Sequence, residues 1–459
     1  MNSDMWKWTT VSTGLVKSPC EREPDWIEWS VKDSWYLNHG MYSSSFVLYK
    51  PVAGAADADS VLPIDHLTGS LSKVLEHFYP FTGRLIKPEK DKVARLFCNN
   101  AGALFTHKCF DGIVSDLMDV EQFQPNELIS GLYDVHPAAE VFDASGLPTL
   151  IIQVTDFKCG TRCLSFSWSH AVADGVSGAH FLRSWAQIAR GEPISLMPVH
   201  DRSLLAPRES SRVLDGGPCR FVNNVIKEPG AVEFTVPDEG LGYKTFHLSG
   251  RRINELKAEA LRDSEVGGLS TANCIAAHLW RLITQARGHG SHEMTRFLTL
   301  VNCRPRLKDF PAGYFGNFVI PTVSVLTVGE LLSNSLSHAA TVIQKSVKEL
   351  DEVAIRDNID WSAASRIHPS TTGKKLFMPG DPRANLHTVG GSWLPSFPFY
   401  ELDFGGEKPS LGVFNGFRMS AVSAGMYYAF PTRTYTNRKG DLSIILFGEK
   451  NMLGQIDEL

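Results

Sequence analysis

The stretch SWSHAVADGVSG, Ser167 to Gly178, decides how the rest of the chain is read. Just upstream, Leu164, Phe166, Trp168 and His170 fall on one face of an apolar strand; Cys163, Ser165, Ser167 and Ser169 fall on the other. Downstream, Val176, Ala179, Leu182, Trp185 and Ala189 recur at helical spacing. AVADG is therefore a strand-to-helix connection, and His170 stands where the strand ends. Rigid scaffolds tend to display functional groups at such places. The imidazole has two readings. It is a buried core histidine, or it is a general base with a structural carboxylate, Asp174, four residues on. Imidazole titrates near neutrality, and a base needs a fixed orientation and a path to its substrate. A lone HxxxD is common by chance, so this stretch alone favours the structural reading. Gly175 and the Ser177–Gly178 pair tilt it slightly the other way, because small residues admit close approach of backbone or ligand.

Leu150 to Phe157 and Arg162 to His170 read as two strands joined by the KCGT turn, a hairpin. Ser43 to Tyr49 reads as a strand stopped by Pro51, and Leu67 to Phe78 as an amphipathic helix followed by YPFTGRL. In the second half, Lys244 to Leu248 is a predicted strand and a helix follows from Ile253. Ser270 or Thr271 caps STANCIAAHLWRLITQARG, in which Ile275, Leu279, Leu282, Ile283 and Ala286 share a face. Met294 to Asn302 is a predicted strand, Val328 to Asp351 one long helix, and Leu442 to Phe447 the last strand. Alternating elements give an α/β (α+β) class. The Pro-, Ser-, Arg- and Asp-rich run after Gly191 has weak periodicity and reads as a crossover. The expected organisation is an N-terminal domain over 1–195, a linker over 196–240, and a C-terminal domain over 241–459.

The 459 residues suffice for two or three domains with large cores. The net charge of −5 argues against a general nucleic-acid binder. Eight scattered cysteines form no CxxC pair, so a zinc site is not expected and free thiols in a reducing compartment are. MNSDMWKWTTVSTG has no apolar core of signal-peptide length, and no apolar run is long enough for a membrane span. The terminal IDEL is similar to a retention tail, but with no signal segment it is discounted. A soluble cytoplasmic protein is expected.

Rival motifs fail. DFG at Asp403 to Gly405 and VAI at Val353 to Ile355 hint at a kinase, but there is no HRD and no glycine-rich loop. TGKK at Thr372 lacks the upstream glycine of a phosphate loop. GVSG at Gly175 is one residue short of a nucleophile elbow, and no GxGxxG occurs. FPFYELDFGGEKP, Phe397 to Pro409, reads as a strand ending in a glycine turn with Asp403 buried or capping. In VNCRPRL, followed by YFGN at Tyr314 to Asn317, Arg304 and Arg306 are either surface charges or partners of an acid such as Asp174.

Together these stretches resemble the BAHD family of plant coenzyme-A-dependent acyltransferases. The resemblance rests on VLYKP, LSKVLEHFYPFTGRL, QVTDFKCG, SHAVADG with SWAQIARG, STANCIAAHLWR, NCRPRL with YFGN, and YELDFG, in that order. It implies two chloramphenicol-acetyltransferase-like domains with a channel between them, acyl-CoA entering from one side and the acceptor from the other. By resemblance, His170 matches the catalytic base. Asp174 matches the structural aspartate that pairs with an arginine, here Arg304. Ser392 and Trp393 are the oxyanion candidates, the role falling to one or the other, and Ser43 and Ser45 are channel-lining candidates. Ser270, Thr271, Asp403 and Gly405 are candidates on the CoA side. No permanent cofactor or metal is implied; acyl-CoA is a co-substrate, a small molecule is the acceptor, and a monomer is expected.

Three departures from the family pattern stand out. DFGGEKP replaces DFGWG, with Gly406 for tryptophan and Glu407 for glycine. GGSW replaces TSW. Val47 stands where shikimate-using members carry tyrosine. The implied function is acyl transfer from a CoA thioester to a hydroxyl or amine. The alternative is a non-catalytic eceriferum-type partner of fatty-acid elongation, echoed by SWSH and GGEKP. The intact run His170, Asp174, Gly175 speaks against that alternative.

Overall fold

A computed structural model describes residues 7–36, 42–51, 61–86, 94–120, 123–124, 126–133, 146–208, 240–262, 268–367, 387–415, 424–432 and 440–459. The chain forms two compact units of mixed α/β structure. The first comprises Met1–Ala206, Asp309–Phe318 and Phe397–Gly416; the second comprises Pro207–Lys308, Val319–Ser396 and Phe417–Leu459. The units are thus discontinuous in sequence, where the reading above drew linear boundaries. Most of the expected linker, 209–239, lies outside the described residues.

The main sheet of the first unit has the order β1 (Trp8–Val16), β6 (Ala103–Phe110), β8 (Leu150–Phe157), β9 (Arg162–Ser169), β3 (Tyr42–Tyr49) and β14 (Leu411–Asn415). Only β6 and β8 run parallel in it; the other neighbours are antiparallel. A smaller sheet orders β2 (Asp25–Ile27), β5 (Arg95–Cys98), β4 (Arg84–Ile86) and β7 (Leu147–Pro148). Strand β9 is buried on both faces. Its serines are accommodated by local pairing: Ser167 Oγ lies 2.8 Å from Ser44 Oγ on β3. Buried Arg162 forks onto Asp156 of β8 at 2.6 and 2.9 Å.

Helices α1 (Ile64–His77), α2 (Val114–Leu117) and α3 (Gly175–Ala189) belong to this unit. The buried Trp185 indole donates to Ser70 Oγ at 3.0 Å and so fastens α3 to α1. An aromatic cluster explains why two later segments return to the first unit. Phe315 stands 5.1 Å from both Phe78 and Phe81, and Phe404 stands 4.8 Å from Trp185, ring centre to ring centre. Val199 bridges Tyr314, so the start of the expected linker is packed rather than free.

The second unit has one six-stranded sheet: β10 (Leu241–Leu248), β16 (Leu442–Glu449), β15 (Met426–Pro431), β13 (Thr388–Trp393), β11 (Met294–Asn302) and β12 (Val319–Thr327). Helices α4 (Gly250–Arg262), α5 (Thr271–Arg287) and α7 (Leu336–Lys348) cover it, with α6 (Val328–Ser333) and α9 (Lys450–Gly454) beside them; α8 (Glu352–Ile367) follows α7 in the chain. Trp280, Leu279, Ile283 and Phe297 lie in its core. The single helix expected over Val328 to Asp351 is two helices. Asn334 is extended, and Ser335 opens a new helix by accepting from the His338 amide. Three polar residues, Ser333 to Ser335, favour capping over continuation.

Candidate active site

His170 sits one residue beyond β9, at the start of the connection to α3. The connection is short because Asp174 caps the helix. Its Oδ1 accepts the Ser177 amide at 2.9 Å, and Oδ2 accepts the Phe318 amide at 2.9 Å. The carboxylate is 1% exposed, so these bonds replace its water. Trp168 fixes the same corner, its indole donating to Ala173 O at 3.0 Å.

The imidazole is held on two sides. Tyr36 stacks on it with ring centres 3.8 Å apart and planes 16° apart. Its Nδ1 lies 3.2 Å from Asn317 Oδ1. The orientation of the Asn317 amide follows from its other contacts. Nδ2 reaches Asp33 Oδ1 at 2.9 Å, His170 O at 2.8 Å and Ala171 O at 3.2 Å, all of them acceptors. That end is the NH2, so the end facing the ring is oxygen. Nδ1 of the neutral ring therefore carries the proton, and Nε2 carries the lone pair.

Asp33 is fully buried, in a short 3-10 turn (Asp33–Tyr36). Oδ1 accepts both the main-chain and side-chain N–H groups of Asn317; Oδ2 accepts Ser30 N and Oγ and pairs with Arg202 Nε at 3.0 Å. Arg202 also donates to Phe315 O and to Val172 O. Burial pushes the His170 imidazole below the ordinary histidine range. Its own carbonyl, Asp174, Asn317 and Asp33 oppose that shift in part. The result is a neutral ring with a basic nitrogen near neutral pH.

The other sequence-predicted residues fall as follows. Ser43 and Ser45 are buried on β3, opposite Trp168 and Phe166 of β9. Asp403 Oδ1 accepts the amides of Gly405 and Gly406 at 2.8 and 3.1 Å. Phe399–Glu401 before it is a 3-10 turn rather than the expected strand. Arg190 at the end of α3 donates to Asp403 O at 2.7 Å, and Tyr49 donates to Leu402 O at 2.7 Å, so this motif braces the first unit. In the second unit, Ser270 is the N-cap of α5 and Thr271 its first residue. Arg304 is buried, with a guanidinium nitrogen 3.2 Å from Asn302 Oδ1, and Arg306 donates to Val347 O and Leu350 O at 3.0 Å. Ser392 and Trp393 lie on β13, opposite Tyr428 and Ala429 of β15.

Sequence reasoning cast neither Asp33, Arg202 nor Tyr36 in a site role. They lie in KDSWY and HDRSLL, short stretches without periodicity. Asn317 was visible only within YFGN.

Two clusters among the described residues offer metal-type ligand atoms: His107, Cys109 and Asp156, and His289, Glu293 and His387. In the first, Asp156 is already forked by Arg162. In the second, the two imidazoles stack 4.2 Å apart at 26°, so their in-plane lone pairs run side by side rather than converge. No helix among the described residues is long and apolar enough to cross a membrane.

The model described as the Transferase family matches residues 6–457. Anthranilate N-benzoyltransferase protein 1 of Dianthus caryophyllus is 33% identical, over 76% of this chain and 77% of its own. Fatty alcohol:caffeoyl-CoA acyltransferase of Arabidopsis thaliana is 31% identical, over 71% and 74%. The crystal structure of vinorine synthase superposes with a TM-score of 0.71 at 19% identity, covering 98% of this chain and 96% of that one, and so shares the fold. With a family match along nearly its whole length and relatives of this identity and coverage, the chain belongs to the BAHD family and is an acyltransferase.

Proposed function

We propose that this protein transfers an acyl group from a coenzyme-A thioester to the hydroxyl or amine of a small-molecule acceptor, with His170 as general base. The observation that carries the reading is the polarity of the imidazole: Asn317 Oδ1 accepts a hydrogen bond from Nδ1–H, which keeps the proton on Nδ1 and leaves Nε2 bare. Nε2 takes the proton of the acceptor as its oxygen or nitrogen attacks the thioester carbonyl. A tetrahedral oxyanion forms, and donors around Ser392 and Trp393 stabilise it. The carbon–sulfur bond then breaks, the carbonyl re-forms, and the imidazolium returns its proton to the departing thiolate. Atoms and charge balance with no further reactant.

Asp174 acts structurally in this scheme, capping α3 and accepting the Phe318 amide. Ser270 and Thr271 serve the CoA side, while the turn at Asp403 and Gly405 braces the first unit. The names of the two relatives, an N-benzoyltransferase and a caffeoyl-CoA acyltransferase, support an aromatic acyl-CoA donor and allow either acceptor chemistry. The elongation-partner reading gives His170 no task and is set aside. The test is purified protein with a panel of acyl-CoA thioesters and hydroxyl- or amine-bearing acceptors, read by mass spectrometry. Acylated acceptor and stoichiometric free CoA are expected. Free CoA without acylated acceptor across the panel would contradict transfer.

A further inference from the structure

We infer that Asp33 is a positioning residue for the transfer: acting through Asn317, it sets which nitrogen of His170 is basic. The inference rests on the proposal that His170 is the base. Asp33 is 0% exposed, and among the described residues the groups facing its carboxylate are hydrogen-bond donors, the N–H groups of Asn317 and the N and Oγ of Ser30, and a cation, the guanidinium of Arg202. A carboxylate is acceptor-only and matches all of them; an amide cannot.

The match has a consequence for the histidine. With Asp33 as acceptor, Asn317 must turn its NH2 inward and its oxygen toward His170. The reversed amide would set Oδ1 against a carboxylate oxygen and two main-chain carbonyls, and its NH2 against Nδ1. Nδ1 would then have to carry the lone pair, the proton would move to Nε2, and the nitrogen that should accept the substrate's proton would be occupied. The carbonyls of His170 and Ala171 favour the same amide orientation at 2.8 and 3.2 Å. Asp33 adds the charged partner, and Arg202 holds that charge in place from a buried position of its own. The direction of the hydrogen bonds thus runs from His170 through Asn317 to Asp33.

The experiment uses full-length protein labelled with 15N-histidine. Long-range 1H–15N spectra distinguish Nδ1–H from Nε2–H, and loss of one signal set in His170→Ala assigns His170. The wild type should show Nδ1–H with a bare Nε2. Asp33→Asn should show a population of Nε2–H, with kcat lowered by about 10-fold and KM within about twofold, since the loss is in the chemical step. A wild-type His170 protonated on Nε2 would overturn the inference. So would a folded Asp33→Asn protein that keeps Nδ1–H and wild-type kcat. If Asp33→Asn does not fold, the wild-type spectrum decides alone. Failure of the base reading is separable: it appears as turnover surviving in His170→Ala, whatever the tautomer.

Discussion

One carboxylate oxygen of Asp174 accepts the main-chain amide of Phe318 at 2.9 Å, while the other caps α3. A single buried side chain thus joins the helix behind His170 to the segment that carries Asn317. Asp174→Ala removes the cap, at about 1 kcal/mol, and strands a buried amide, at about 1–3 kcal/mol. A loss of roughly 2–4 kcal/mol in unfolding free energy is expected by denaturant titration. Asp174→Asn should fall short of that loss, because its oxygen still serves one of the two amides. Unchanged stability in Asp174→Ala would contradict the structural role.

Gly178 lies against the buried Trp168 ring. A Cβ there would come within 2.3 Å of Cζ2 and 2.7 Å of Cε2. Gly178→Ala should therefore cost about 1–3 kcal/mol through overpacking. The smaller ring of Trp168→Phe leaves room, so the same change should cost less in that background. Additive effects in a double-mutant cycle would show that the two positions do not meet.

Gly405 has φ +97, and its Cβ would meet nothing closer than 3.6 Å. Gly405→Ala should cost about 1–2 kcal/mol from backbone strain alone. The turn is built from Asp403, Arg190 and Tyr49 within the first unit, so kcat should hold while thermal stability falls. A large drop in kcat with stability intact would move this motif into the chemistry.

The elements legible in the sequence were those whose own period declares them. Leu150 to Phe157 and Met294 to Asn302 appear with the bounds read for them. The helix after His170 follows from Val176, Leu182 and Trp185, and His170 stands at the strand end as its alternation placed it. Discontinuity of the units was not legible. Asp309–Phe318 and Phe397–Gly416 join the first unit through Phe315 and Phe404, contacts that no local period encodes. The same holds at the site. His170 and Asp174 are close in sequence and form a recognisable pattern, whereas Asp33, Arg202 and Asn317 converge only after folding. Their residue types are common in turns, which is where a reading of the sequence leaves them.

Burial holds the His170 imidazole below its ordinary pKa of about 6.5. In the folded protein the base form is present above that lowered value and is lost as pH falls through it. The acid limb of kcat/KM should therefore lie below pH 6.5. The stability linkage has the same sign: the unfolded chain takes up the proton first, so folding free energy contributed by the neutral ring is present above pH 6.5 and declines on acidification. A pH–rate profile with its acid limb above pH 7 would contradict the half-buried, neutral ring.

If His170 is the proton acceptor in acyl transfer, its removal must cost turnover. Turnover of a proven acyl-CoA and acceptor pair should be measured in wild type and His170→Ala, with folding of both checked by circular dichroism. Loss of the base should lower kcat/KM by about 10²–10⁴-fold with the fold retained. A folded His170→Ala protein that transfers at near wild-type rate would contradict the account.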